Sequence, residues 1–138
     1  MLRWGEHLNV LGGSSHEELY LCIPAHLDVE LKKTIDRILL SYDENSVITT
    51  YNQTKHEKKL FNGVEGARAL SSGLFLALHD RSDLDTPVQE VSEESKTVFL
   101  VWKCPASGFL DGADTFVFGD NKKICRQNVV YKTTYLKQ

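Results

Sequence analysis

The chain has little of what would tie it to a metal, a phosphate or a bilayer. Its three cysteines, Cys22, Cys104 and Cys125, are an odd number with no Cys-x-x-Cys spacing, so neither a disulfide framework nor a zinc site is indicated and reduced thiols are expected. His7, His16 and His56 stand in polar surroundings without an i, i+4 partner; no bound metal is expected. The glycines at 63, 66, 108, 112 and 119 do not make a phosphate loop, and Ser71-Ser72 lacks the glycine frame of a nucleophile elbow. The acids that follow His79-Asp80 read as solvated charge. An excess of charge of one sign is also missing. The net charge is −3 over 138 residues, with no basic stripe, which argues against nucleic acid as a partner. No run approaches the roughly eighteen apolar residues of a membrane span, and Met1 to His7 lacks the apolar core of a secretion signal. The expectation is a soluble, cytoplasmic protein with no membrane partner.

What is present is one domain's worth of chain, read as an extension over residues 1–15 and a single domain over 16–138. Ser15-His16-Glu17-Glu18 fits a capping box, so a helix is expected to open there, and Pro24 must either kink it or begin a new one at its own first position. Ile35, Ile38, Leu39 and Tyr42 recur at helical spacing, which predicts a second helical stretch. The period then changes to that of strands, over residues 46–51 and, before Asn62-Gly63, residues 59–61. A third helix is expected over residues 64–79, with Ala67, Leu70, Leu74 and Leu78 as its apolar stripe. Residues 88–93 make a weak strand and residues 97–103 a strong one, stopped by Pro105 and Gly108. Helices first and strands after them indicate an α+β domain.

The closing stretch, Ala113 to Tyr131, carries the most chemistry. It reads as a hairpin whose turn is Gly119 to Lys122. Because side chains alternate across a strand, Asp114, Phe116 and Phe118 are expected on one face, and Cys125, Gln127, Val129 and Tyr131 on the same face of the returning strand. That face holds an aromatic pair, an amide, a phenol and a carboxyl. A buried carboxylate is costly unless paired, hydrogen-bonded or neutralised, so Asp114 requires a partner or a purpose.

Three stretches resemble the nuclear transport factor 2-like superfamily, and within it the SnoaL-like and ketosteroid-isomerase-like single domains. They are Ala25-His26-Leu27-Asp28 with Ile35 to Val47, Phe61-Asn62-Gly63 with Val64 to Leu70, and Asp114-Thr115-Phe116-Val117-Phe118 with Lys123-Ile124 and Gln127. The chain departs from the family in lacking Gly-Asp between the first two helices and in placing Lys122 where the last turn normally has glycine. The resemblance implies a cone-shaped α+β barrel, with three N-terminal helices packed in the concave face of a strongly curved, mostly antiparallel sheet. It places His26 and Asp114 on the family's two hydrogen-bond donors, and Thr50 on its proton-moving aspartate. Threonine has no pKa near neutrality, so the steroid-isomerase mechanism is disfavoured.

His26 and Asp114 are therefore the catalytic candidates, unless the two simply satisfy each other inside the domain. Tyr42, Thr50, Trp102, Phe116, Phe118, Gln127 and Tyr131 are the ligand-binding candidates; Tyr51 is a weaker one. For the aromatics, plain core packing is the competing role. The resemblance implies binding of a small apolar molecule with a carbonyl or hydroxyl group, without a cofactor. Two alternatives stay open: an acid–base enzyme of the cyclase, isomerase or dehydratase type, and a non-catalytic dimerisation module. A homodimer paired through the outer face of the sheet is expected.

Overall fold

A computed structural model describes residues 24–134, with side chains from Leu31 onward. Its first helix, α1 (Pro24–Leu39), starts with proline, whose missing N–H costs nothing in a first turn. The helical stretch expected to begin at Pro24 and the second one expected from Ile35 onward are one helix. Leu31, Ile35, Ile38 and Leu39, spaced one and two turns apart, form its buried face. The helix expected ahead of Pro24 lies outside the described residues.

Tyr42 continues the helical spacing in sequence but not in space. The chain turns through Leu40 and Ser41, whose amides bond back to Arg37 and Ile38, and Tyr42 opens strand β1 (Tyr42–Asn52). Tyr42, Ser46, Ile48, Thr50 and Asn52 of that strand are buried. A hairpin leads to β2 (Glu57–Asn62), and Gly63, at φ 70°, turns the chain into α2 (Gly63–Ala77). The buried line of α2 is Ala67, Ser71 and Phe75, with Leu78 just beyond it. This corrects the expected stripe: Leu70 and Leu74 are only partly buried and face a cavity.

The remaining strands are β3 (Asp85–Ser92), β4 (Thr97–Cys104), β5 (Phe109–Phe118) and β6 (Ile124–Thr133), with one 3-10 turn at Pro105–Ser107. They join one six-stranded sheet in the order β2-β1-β6-β5-β4-β3. Every neighbouring pair is antiparallel except β1 and β6, which run parallel in the middle. The sheet is not closed into a barrel, since β2 and β3 are edges. Pro87 is accommodated on edge strand β3, beside a shift in register. The described residues thus make an α+β fold of two helices and a mixed sheet.

The closing hairpin turns its inner face to the core as expected, with one correction. Val117 pairs with Arg126 but Phe118 pairs with Ile124, so a bulge at Cys125 sets two residues against one. Ile124 and Gln127 therefore point inward, while Cys125 is exposed. In the turn, Lys122 adopts φ 64°, the left-handed conformation that glycine usually supplies, and the amide of Gly119 bonds the carbonyl of Lys123 at 2.8 Å. Phe116, Ile38, Ile48, Ile124 and Val98 form the most deeply buried part of the core.

Candidate active site

Three adjacent strands set the site. On β4, Trp102 stands opposite Gly112 of β5; on β6, Val129 stands opposite Asp114, with Gln127 one side-chain step along. Asp114 is therefore the diagonal neighbour of both Trp102 and Gln127 on the inner face, within reach of long side chains. The indole Nε1 of Trp102 donates to Asp114 Oδ1 at 2.9 Å, and Gln127 Nε2 donates to Asp114 Oδ2 at 3.0 Å. Gln127 Oε1 in turn accepts from the hydroxyl of Tyr42. The direction of this chain follows from its members. Indole can only donate, so the carboxyl accepts from it; the amide then turns its NH2 to the carboxyl and its oxygen to the phenol.

Glycine at 112 makes the arrangement possible. A Cβ there would overlap the indole ring of Trp102, so only a bare backbone lets the ring lie across β5 and reach the carboxyl two residues on.

Burial is the dominant influence on Asp114. Only 6% exposed, its carboxyl is raised from the ordinary 3.8 to about 6 by desolvation, against the downward pull of the hydrogen bonds from Trp102 and Gln127. Burial, reinforced by the nearby Asp114 charge, raises the Tyr42 phenol well above its ordinary range. Tyr42 thus acts as a fixed donor at neutral pH, while Asp114 exchanges a proton close to it.

These groups border a cavity of about 310 Å³ between the sheet and α2. Tyr42, Thr50, Trp102, Asp114, Gln127 and Tyr131 all line it. Leu70, Leu74 and Phe75 of α2 and Phe61 of β2 supply apolar wall, with Lys59 beside them. Phe109, whose ring lies 5.4 Å from that of Trp102 and 5.8 Å from that of Tyr131, links the aromatic side.

Six of the candidate positions therefore come together around one space. Phe116 and Phe118 do not: both are buried in the core, away from the cavity walls. They share the face of Asp114, but lie further along β5, where Phe118 stands opposite Ile124. Tyr51 also departs from expectation, since it lies on the outer face, 36% exposed, with its hydroxyl 3.5 Å from His56. The expectation for His26 falls outside the described side chains. Gly112, Phe109 and the α2 wall were not anticipated from sequence; the spacing Trp102 … Gly112-x-Asp114 was the available signal for the first. Among the described residues, no three His, Cys, Asp or Glu side chains gather as a metal site would need, and no helix is long and apolar enough to cross a membrane.

No protein-family model and no curated protein sequence matches the chain. Solved structures do match. An epoxide hydrolase/cyclase-like enzyme, SalBIII, of pyran ring formation in the polyether salinomycin aligns at 13% identity and a TM-score of 0.53, covering 95% of this chain and 94% of its own. An NTF-2 like protein of unknown function from Burkholderia xenovorans LB400 aligns at 12% identity and a TM-score of 0.50, covering 89% of each chain. A SnoaL-like protein of unknown function from Burkholderia thailandensis E264 aligns at 14% identity and a TM-score of 0.52, covering 75% of this chain and 86% of its own. The fold is nuclear transport factor 2-like. At such identities the likeness concerns the backbone alone. Within this fold the cavity lies between the sheet and α2, and its acid comes from β5.

Proposed function

We propose that the chain is a SnoaL-like single domain over residues 16–138 that binds a small, largely apolar molecule in its cavity and holds a carbonyl or hydroxyl group of that molecule against Asp114. The supporting observation is the buried carboxyl of Asp114, fixed by Trp102 and Gln127 at the wall of a mostly apolar space of about 310 Å³. Convergent polar groups in an apolar pocket are the usual form of a small-molecule site. Each carboxylate oxygen keeps a lone pair beyond the one its donor uses, so a ligand hydroxyl can donate to it. When protonated, the acid can instead donate to a ligand carbonyl. In this reading the fold is the family's cone, with three helices packed in the concave face of a strongly curved, mostly antiparallel sheet. His26 and Asp114 are its catalytic candidates, and the cytoplasmic protein pairs as a homodimer through the outer sheet face, with no nucleic acid or membrane as partner.

One observation favours a second reading, a cofactor-free acid–base enzyme of the cyclase, isomerase or dehydratase type. A carboxyl that titrates at about 6 inside a pocket can pass a proton in either direction near neutrality. Thr50, in the same cavity, contributes no titrating group, so Asp114 would act without a second carboxylate. The experiment that tests the binding reading is a thermal-shift screen of polyketide-like, steroid and short-chain carbonyl compounds, repeated on Asp114→Asn. Ligands that stabilise the wild type and not the variant are expected. Failure of every compound on the wild type, or equal stabilisation of the variant, overturns the proposed site. Product formation from a stabilising compound, lost in Asp114→Asn, would select the enzyme.

A further inference from the structure

A second space adjoins the first and has a different chemistry. It is an open basin of about 1030 Å³, and its walls share Ala77, Phe109 and Tyr131 with the inner cavity. Hydrogen bonds tie its rim together. Thr54 Oγ1 donates to the carbonyl of Thr133 at 2.7 Å, the amide of Gln53 bonds Tyr131 at 2.8 Å, and the amide of Thr134 bonds Gly108 at 2.8 Å. The basin is thus built from three segments fastened together: the turn after β1, the turn at Gly108 and the end of β6. Where the inner cavity is walled by aromatic and aliphatic side chains around one acid, the basin carries hydroxyls and the ammonium of Lys55, with no Asp or Glu among its described lining residues. Lys55 Nζ has no partner among the described residues, and neither has the hydroxyl of Tyr131, which stands where the two spaces meet.

The strand register gives the separation. Val129 pairs with Asp114, and Thr133, which lines the basin beyond the shared Tyr131, lies four residues further along β6, so that part of the basin is about 13 Å from the acid along the strand. A small ring system held against Asp114 does not extend that far.

We propose that the ligand is an elongated, two-part molecule: a ring system with its carbonyl or hydroxyl against Asp114, and a flexible chain that passes Tyr131 and ends in a carboxylate beside Lys55. This rests on the binding reading above and specifies the ligand class for the same site. The inner space selects for apolar rings because water and charge are costly there. The basin favours an anion because Lys55 shares it with no Asp or Glu among the described lining residues, and a chain crossing between them finds the Tyr131 hydroxyl as a hydrogen-bonding group.

The test uses two probes measured by calorimetry on the full chain: acetylnaphthalene, and the same ketone carrying a butanoate chain through an ether on its far ring. The butanoate probe is expected to bind about fivefold or more tighter than the plain ketone at low salt, with the advantage shrinking as salt is added. Lys55→Gln is expected to remove the advantage and Lys55→Glu to reverse it, while both leave the plain ketone's Kd unchanged. Asp114→Leu, which removes the donor that a ketone oxygen requires, should weaken both probes alike. If the plain ketone binds through Asp114 but the butanoate confers nothing, or its advantage survives in Lys55→Glu, the two-part ligand is wrong and the inner site stands. If neither probe binds the wild type, both the inner site and the two-part ligand fail.

Discussion

The indole of Trp102 donates to Oδ1 of Asp114 from the neighbouring strand, so the acid of the cavity is held by an aromatic side chain that also forms its wall. The indole therefore tunes as well as positions. Trp102→Phe keeps an aromatic wall but deletes the donor, and one influence that holds the carboxyl down disappears. The Asp114 pKa is expected to rise above about 6, and ligand affinity at neutral pH to change with it. A carbon NMR titration of the Asp114 carboxyl checks this; an unchanged pKa would mean that the hydrogen bond has no electrostatic role.

Gly112→Ala tests the geometry that brings the two together. The new methyl overlaps the indole, and because the clash involves a large buried ring, Trp102 must swing away from Asp114. A loss of about 2 kcal/mol or more is expected from overpacking alone, with a change in the near-UV circular dichroism of tryptophan. Denaturant unfolding and the spectrum together measure it, and a variant with wild-type stability would contradict the placement of the ring.

Gln127→Met preserves volume but removes both ends of an amide that serves two buried groups. Oδ2 of Asp114 loses its donor and the Tyr42 hydroxyl loses this acceptor. Leaving buried polar atoms without such partners costs on the order of 1–3 kcal/mol each, so a destabilisation of about 2 kcal/mol or more is expected in urea. Tyr42→Phe should cost less, because the amide oxygen it abandons is only one acceptor.

The raised carboxyl fixes the sign of a pH dependence. Asp114 holds its proton up to about pH 6 in the folded chain and to the ordinary 3.8 when unfolded. Between those values the folded state binds more protons, so this group's contribution to stability is fully present below the unfolded pKa and is lost as pH rises through about 6. The gap of roughly two units corresponds to about 3 kcal/mol. Asp114→Asn should lack this decline, which urea unfolding from about pH 4 to about pH 7 would reveal as a difference between the two curves. The comparison isolates Asp114, since Asp43, whose carboxyl is held below its ordinary range chiefly by hydrogen bonds from Asn121 and Asn45, is the same in both proteins.

Lys122→Gly addresses the closing turn. Lysine at φ 64° carries a side-chain penalty of about 1 kcal/mol that glycine lacks, partly offset by the larger freedom of glycine in the unfolded chain. A net gain of about 0.5 kcal/mol is expected. An unchanged or lowered midpoint in urea would show that the turn is not strained.

Much of this site could be read from sequence because strands obey a period of two. Asp114 among Phe116 and Phe118 had to face inward with them, and Gln127, Val129 and Tyr131 follow the same rule on β6. Cys125 broke it for a local reason: a bulge adds one residue to the count, and nothing in Lys123-Ile124-Cys125-Arg126 announces where the register slips. Tyr42 was misplaced onto a helix because its spacing from Ile35, Ile38 and Leu39 is helical, whereas the turn at Leu40 and Ser41 is set by hydrogen bonds that composition does not reveal. Sharing a face also says nothing of position along it. Phe116 and Phe118 are inward like Asp114, yet the cavity ends before reaching them. The role of Gly112 depends on the ring opposite it, a relation between strands that no local pattern contains.

The parallel pairing of β1 with β6 has a consequence for how the chain comes to be folded. The strand that joins the two halves of the sheet is the last of its six to be made, and it lies between β1 and β5 rather than at a margin. While a ribosome has reached only β5, the first hairpin and the later meander have no strand to unite them. Contacts of such long sequence separation form slowly, so assembly must wait for the final strand to emerge, and until then both unfinished sheet borders are open to adventitious pairing with other nascent chains.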